Sequence, residues 1–324
     1  MRSPLACLSR VVRPLVAALL LAGALPLRVA AQDVGGGAPA LHRDTVRSDD
    51  GLPLTVWSKR PAFRPAGTLL LLHGRTWSAL PNFDLQVRGQ QVSLMDALTR
   101  RGYEVFALDQ RGYGATPRDS SQYLTPERAA EDALVVLRWI SAHRPASGRP
   151  VLVGYSQGSL TAMLAATTDS TALSALVLYG FPLDLSDTTR RAMAESPARL
   201  ERRATTIAGA EEDFLTPEST PAGVKAAYGR AAVAADPVRT DWRGERSFLA
   251  MDPGALRTPV LVLNGERDPY AGRAHLAGFV ARVHDVDRAW VVLAHADHVA
   301  HLERQDAFAN AIVAFLSRNR PAPH

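Results

Sequence analysis

Cysteine is nearly missing from this chain: the only one, Cys7, stands ahead of the first apolar run. That leaves no pair for a disulfide, no thiol nucleophile and no cysteine-based metal site in the body of the protein. Lysine is almost as scarce, and the arginines that replace it are scattered. Aromatic residues make up only 6% of the sequence, and no dense basic run is interleaved with them, which excludes a nucleic-acid partner. Residues 1 to 31 contain no acid but do contain Arg2, Arg10, Arg13 and Arg28, so most of the formal net charge of +5 belongs to that segment and the remainder is close to neutral. No apolar run reaches the roughly 20 residues needed to cross a bilayer; the run from Leu15 to Leu27 is short and is broken by Pro26.

The amino-terminal order is Arg2, Arg10 and Arg13, then the apolar run, then Val29, Ala30 and Ala31, which is the pattern of an export signal with cleavage expected after Ala31. Cys7 precedes the run instead of following it, which argues against lipidation. The competing reading is a retained anchor; the expectation is an exported, periplasmic or secreted chain with no stable membrane span after cleavage. Such a chain has no disulfide and is held by its core alone, and 47% hydrophobic against 21% charged residues suffices for a sizeable one.

After a linker over 32–45 that contains Gly35, Gly36 and Gly37, short apolar runs alternate with longer amphipathic ones, the pattern of a parallel sheet with crossover helices. Strands are expected at Leu52 to Ser58, Thr68 to His73, Glu104 to Asp109, Pro150 to Tyr155, Ala175 to Tyr179, Pro259 to Asn264 and Ala289 to Leu293. Helices are expected at Gln91 to Arg101, Pro126 to His143, Ser159 to Thr167, Gly272 to Val283 and Arg304 to Ser317. Residues 183–256 break this rhythm, being rich in Ala, Arg, Thr and Pro without a clear strand, and are expected to form a mainly helical cap between the core segments 46–182 and 257–319. A short tail, 320–324, closes the chain.

The sharpest signal is Gly154-Tyr155-Ser156-Gln157-Gly158, directly after Val151-Leu152-Val153 and directly before a helix-forming stretch. A strand turning that abruptly into a helix forces its apex residue into strained geometry and needs small neighbours. His73-Gly74 ends an earlier strand, and Asp109-Gln110-Arg111-Gly112-Tyr113-Gly114 follows the next. With these landmarks in this order, the chain after the linker resembles the α/β-hydrolase superfamily. The resemblance implies an α/β fold with a mostly parallel central sheet, helices on both faces and a helical cap insertion. It also implies a Ser-Asp-His serine hydrolase. Asp109 to Gly114 reads as a structural turn, with Arg111 bracing backbone.

A serine hydroxyl is a weak nucleophile, so a histidine must take its proton and a carboxylate must fix that histidine's tautomer. The resemblance puts the nucleophile at Ser156. It puts the acid at Asp268, after Asn264-Gly265-Glu266-Arg267, with Glu266 and Asp184 as alternatives. Three histidines, His295, His298 and His301, follow the last strand; the register of the family's final motif, a histidine shortly before Leu302-Glu303, selects His298 as the base. A zinc site in this cluster is set aside because the spacing is loose and no further ligand set accompanies it. No metal or other cofactor is expected.

An oxyanion hole needs two N–H donors, expected from Gln157 and from Arg75, with Thr76 as the alternative to Arg75. The sequence departs here from the three-glycine loop of many lipases, placing Arg75-Thr76-Trp77 after His73-Gly74. Trp77, Tyr155, Phe181 and Leu183 are candidate substrate-pocket residues. A serine at position 156 disfavours the dehalogenase and epoxide-hydrolase branches, which use a carboxylate nucleophile. The resemblance therefore implies a carboxylic-ester hydrolase acting on a small-molecule acyl substrate. Peptidase, thioesterase, lactonase and carbon–carbon hydrolase chemistry, and haloperoxidation as a side activity, remain open with the same triad, and a non-catalytic binding protein is the reading from another class.

Overall fold

Four-residue apolar stretches such as Leu69 to Leu72 and Val105 to Leu108 have no solvent-exposed surface at all, so the strands that carry them must be covered on both sides. The computed structural model describes residues 39–183, 202–216, 219–221 and 223–319. In it ten strands appear: β1 (His42–Arg47), β2 (Pro53–Lys59), β3 (Thr68–Leu72), β4 (Glu104–Asp109), β5 (Tyr123–Leu124), β6 (Val151–Tyr155), β7 (Ala175–Tyr179), β8 (Asp241–Trp242), β9 (Val260–Gly265) and β10 (Arg288–Leu293). Eight of them form one sheet in the order β1-β2-β4-β3-β6-β7-β9-β10, in which only β2 runs against its neighbours, β1 and β4. From β4 to β10 every pairing is parallel.

Alternation along each strand builds two separate cores. Leu70, Leu72, Phe106, Leu152, Leu176 and Val262 point to the face covered by α3 (Pro126–His143), α4 (Gln157–Thr168) and α8 (Arg273–Arg282), through Ala133, Leu137, Met163 and Phe279. Leu69, Leu71, Val105, Val153, Val177 and Leu261 point to the face covered by α2 (Leu94–Arg100) and α9 (Gln305–Arg318), through Met95, Leu98, Phe308 and Ile312. Each such side chain stabilises the fold by about 1.5–3 kcal/mol relative to exposure. The helices begin where local chemistry allows. In α3, Pro126 fills the first position and the Thr125 side chain accepts from Arg128 N–H; in α2, Ser93 accepts from Asp96 N–H.

This is the α/β-hydrolase fold expected from the sequence, with the seven expected strands and five expected helices displaced by one or two residues at most sites and by three at the start of α2. Three features go beyond that expectation. Strand β1 begins inside the stretch read as linker; it is an edge strand with Val46 its only buried residue, so it carries no alternation to read. A short helix, α1 (Ala79–Phe83), follows the loop after β3. The described part of the insertion holds helices α5 (Ile207–Glu211), α6 (Val224–Ala235) and α7 (Arg246–Leu249) and also β8, which pairs with β5 and is too short to leave a periodicity. The expected signal segment 1–31, Asp184 and the tail 320–324 lie outside the described residues.

Arg111 is buried and holds Asp50 at 2.7 Å, Asp119 at 2.9 Å and Asp132 at 2.9 Å, tying the β1–β2 turn and α3 to the turn after β4. Removing a buried cation strands its partners. Arg111→Ala is therefore expected to lower the unfolding free energy by about 3–5 kcal/mol, measured by urea denaturation, whereas a loss below about 1 kcal/mol would show that the aspartates rehydrate without it.

Candidate active site

The sheet order reverses direction between β3 and β6: from β3 the chain moves to β4 on one side, then crosses to β6 on the other. The loops at the carboxyl ends of these two strands therefore diverge and leave a crevice, where ligands bind in open α/β sheets. Both loops carry expected site residues, Arg75 after β3 and Ser156 after β6.

Ser156 has φ +53° and ψ −123°, a left-handed conformation that a residue with a side chain adopts only under constraint. The constraint is packing. A Cβ at Gly158 would lie 2.3 Å from the His73 carbonyl oxygen, so α4 starts in direct backbone contact with the end of β3, and the turn from β6 has no wider path. Ser156 N–H donates to Tyr179 O at 2.8 Å, and its hydroxyl projects from the apex.

His298 Nε2 lies 3.0 Å from Ser156 Oγ, and His298 Nδ1 lies 2.9 Å from Asp268 Oδ2. Asp268 is held in turn: its Oδ1 accepts from Tyr270 N–H at 2.9 Å and Ala271 N–H at 3.3 Å, leaving Oδ2 for the imidazole. A carboxylate oxygen at Nδ1 calls for the Nδ1–H tautomer, so Nε2 presents its lone pair to the serine hydroxyl. Tyr179 donates its hydroxyl to His298 O, and the rings of Tyr155 and Tyr270 pack on the imidazole at 5.1 and 4.9 Å.

Opposite the serine, His73 locks the loop after β3. Its Nδ1–H donates to Gly74 O at 2.8 Å, and its Nε2 accepts from Gln110 N–H at 3.0 Å, a pattern only the neutral ring can make. Burial holds its pKa down to about 4, against a partial opposing effect of the Gly74 bond. Tyr113 donates its hydroxyl to Arg75 O and accepts from Trp242 Nε1–H at 2.7 Å. The carbonyl side of Arg75 is thus engaged, while the N–H groups of Arg75 and Gln157 have no acceptor among the described residues.

The family model of the alpha/beta hydrolase family matches residues 69–311, three quarters of the chain. The chain belongs to that family. A 2-hydroxy-6-oxo-6-(2'-aminophenyl)hexa-2,4-dienoic acid hydrolase of Metapseudomonas resinovorans is 26% identical over 67% of this chain and 75% of its own length. The mouse serine hydrolase BPHL is 24% identical over 76% and 78%. A hydrolase of Pseudomonas aeruginosa superimposes with a TM-score of 0.61 at 24% identity, covering 85% of this chain and 98% of its own.

Within this hydrolase the other candidates separate by position. Glu266 is exposed and accepts from His295 N–H at 3.0 Å, so it caps the loop before His298 and does not touch the imidazole. His295 is exposed; His301 is fully buried among Tyr155, Tyr179, Phe83 and Phe308, where desolvation, with the charge of His298 adding to it, pushes its pKa down to about 3. Of the four pocket candidates, Tyr155 packs on His298, Phe181 packs edge-to-face on Phe279 at 4.9 Å, Leu183 joins the same core face, and Trp77 joins a cluster with Phe214, Tyr228 and Val299. All four are buried.

Sequence reasoning missed Gly180, Tyr270 and the acidic residues of the insertion. Gly180 has φ +55°, and a Cβ there would sit 2.9 Å from His298 Cε1, so the imidazole rests on bare backbone. Its signal was present: a glycine directly after the apolar run of β7, where another group approaches closely. Tyr270 follows Asp268-Pro269 and carried no such mark.

The buried histidine gives a pH prediction. Above pH 6.5 neither folded nor unfolded His301 binds a proton; below it the unfolded chain does and the folded one does not, so stability falls until pH reaches the folded value near 3. At pH 5 this amounts to about 2 kcal/mol. His301→Phe should shrink the pH 7 to pH 5 loss of unfolding free energy by that amount; an unchanged loss would mean that His301 is already protonated in the fold.

Proposed function

We propose that this hydrolase cleaves carboxylic esters through an acyl-enzyme on Ser156, with His298 as general base and acid, Asp268 as the carboxylate that orients it, and the N–H groups of Gln157 and Arg75 as the oxyanion hole. The observation that carries the reading is the unbroken chain Ser156 Oγ, His298, Asp268, with separations of 3.0 and 2.9 Å, on a serine whose backbone is held strained. Such strain costs free energy and survives where the surroundings over-determine it, as at active sites. A scaffold used for binding alone has no need of it.

His298 withdraws the Ser156 proton as Oγ adds to the substrate carbonyl. The new oxyanion points at Gln157 N–H, at the start of α4, and at Arg75 N–H, whose carbonyl is tied back by Tyr113. One such donor is worth about 3–4 kcal/mol to the barrier. The imidazolium, stabilised by Asp268, then protonates the leaving alkoxide, and water attacks the acyl-enzyme by the reverse sequence. An ester asks for these groups and no others. Residues 183–256 would act as the cap that shapes the acyl pocket, and the signal-like segment 1–31 supports export of the mature chain.

One relative is named as hydrolase of a 2-hydroxy-6-oxo-dienoic acid, which offers the serine a ketone in place of an ester carbonyl. That favours hydrolysis of a carbon–carbon bond beside a ketone as the second reading.

The test is hydrolysis of p-nitrophenyl esters of graded acyl length by the chain from Gln32. Ser156→Ala should abolish turnover, Asp268→Asn should cut it by roughly 10⁴-fold by presenting the wrong tautomer, and Glu266→Gln should leave it near wild type. Turnover of an oxo-dienoic acid without any ester turnover would replace the first reading by the second.

A further inference from the structure

The two N–H groups that lack an acceptor among the described residues belong to different segments: Arg75 stands on the loop after β3, and Gln157 opens α4. Their side chains are joined through a third. Arg75 Nη1 donates to Gln157 Oε1 at 3.3 Å and to Glu245 Oε1, and Gln157 Nε2 donates to the same Glu245 oxygen at 2.9 Å. Each of the three side chains thus binds the other two. The triangle uses both ends of the Gln157 amide, so Glu245 also decides which way that amide faces.

Glu245 belongs to the insertion and directly precedes α7, whose Phe248 is buried in the core. Three residues earlier, Trp242 is buried as well, and its Nε1–H donates at 2.7 Å to the Tyr113 hydroxyl, which in turn donates to Arg75 O. One short stretch, 242–245, therefore grips the Arg75 loop twice: at the backbone through Tyr113 and at the guanidinium through Glu245. A half-exposed ion pair fixes little by itself, because solvent screens it and both side chains are free to move. The Arg75 and Glu245 side chains are 43% and 35% exposed, but the third corner of the triangle is the buried Gln157, and the grip on Arg75 O limits where its guanidinium can go. Separation is what two oxyanion donors must keep, since each acts only when it lies about 2.7–3.1 Å from the developing charge.

We propose that Glu245 is a positioning residue that sets the separation of the Arg75 and Gln157 N–H groups, so that the insertion holds the oxyanion hole without touching the substrate. The proposal rests on these two groups and Ser156 acting as proposed for ester hydrolysis. Its test pairs p-nitrophenyl ester turnover by the full chain with two inhibitors of the same alkyl chain: a trifluoromethyl ketone, which becomes an oxyanion on Ser156, and the corresponding trifluoromethyl carbinol, which fills the pocket without one. Glu245→Ala should lower kcat by roughly tenfold with KM near wild type, and should weaken the ketone by the same factor while leaving the carbinol unchanged. Glu245→Gln keeps an oxygen that accepts from Arg75 and Gln157, and should recover most of both losses. Gln157→Met breaks the triangle from outside the insertion; it should reproduce the effect of Glu245→Ala, and the double variant should lose no more than either alone. Equal weakening of ketone and carbinol, or kcat and ketone affinity unchanged in Glu245→Ala, overturns the proposal and leaves the serine hydrolase reading standing. Wild type that neither turns over an ester nor binds the ketone removes that reading and the proposal together.

Discussion

The contact on which the site depends is between backbones: the first turn of α4 lies against the last residue of β3, with Gly158 so close to His73 O and Leu72 O that a single methyl group would overlap both. That contact leaves the chain between β6 and α4 one way to turn, and the turn puts Ser156 in its left-handed conformation. It also brings the N–H of Gln157 alongside the loop that carries Arg75. A helix that stood off by the width of a side chain would relax the serine and separate the two donors at once. The two core faces, built from alternate residues of the same strands, hold β3 and β6 in register and so maintain the contact.

Around this point, burial decides which groups carry charge. His73 and His301 are as buried as His298, but desolvation has nothing to oppose it there beyond single weak bonds, and both are held neutral. Neutrality is what His73 needs, since its Nε2 must accept from Gln110 N–H to lock the loop. His298 differs in having the Asp268 carboxylate at Nδ1 and the Ser156 hydroxyl at Nε2. Three buried imidazoles thus divide into a brace, a core residue and the partner of Ser156 according to what faces their nitrogens.

The sheet and the serine were legible for one reason: both leave short-range marks. A strand buried on both faces is a continuous apolar run, and a strained strand-to-helix turn demands glycines at fixed offsets. That His298, and not His295 or His301, would lie beside Ser156 was legible only through the spacing to Leu302-Glu303. What was not legible lacks such marks. The exposed edge strand β1 has no apolar alternation, β8 is two residues long, and Glu245 and Tyr270 reach Arg75, Gln157 and His298 through tertiary packing of segments whose composition resembles any solvated loop. Burial of Trp77, Phe181 and Leu183 was readable from their apolarity; which surface they would bury against was not.

The insertion is tied to the loops that carry Arg75, Ser156 and His298. Asp236 accepts from Ser78 N–H at 2.7 Å and Gly114 N–H at 2.8 Å; Thr216 N–H and the Ser219 hydroxyl bind Asp297 and Glu303 around His298; Glu245 binds the side chains of Arg75 and Gln157. Hydrogen bonds to charged groups contribute about 1.5–3 kcal/mol each, so those on the buried Asp236 and Asp297 rival several apolar side chains in holding this layer down. Their placement matters more than their sum. Each lands on a segment next to Arg75, Ser156 or His298, so a shift of the insertion moves the loop after β3, the start of α4 and the His298 loop together.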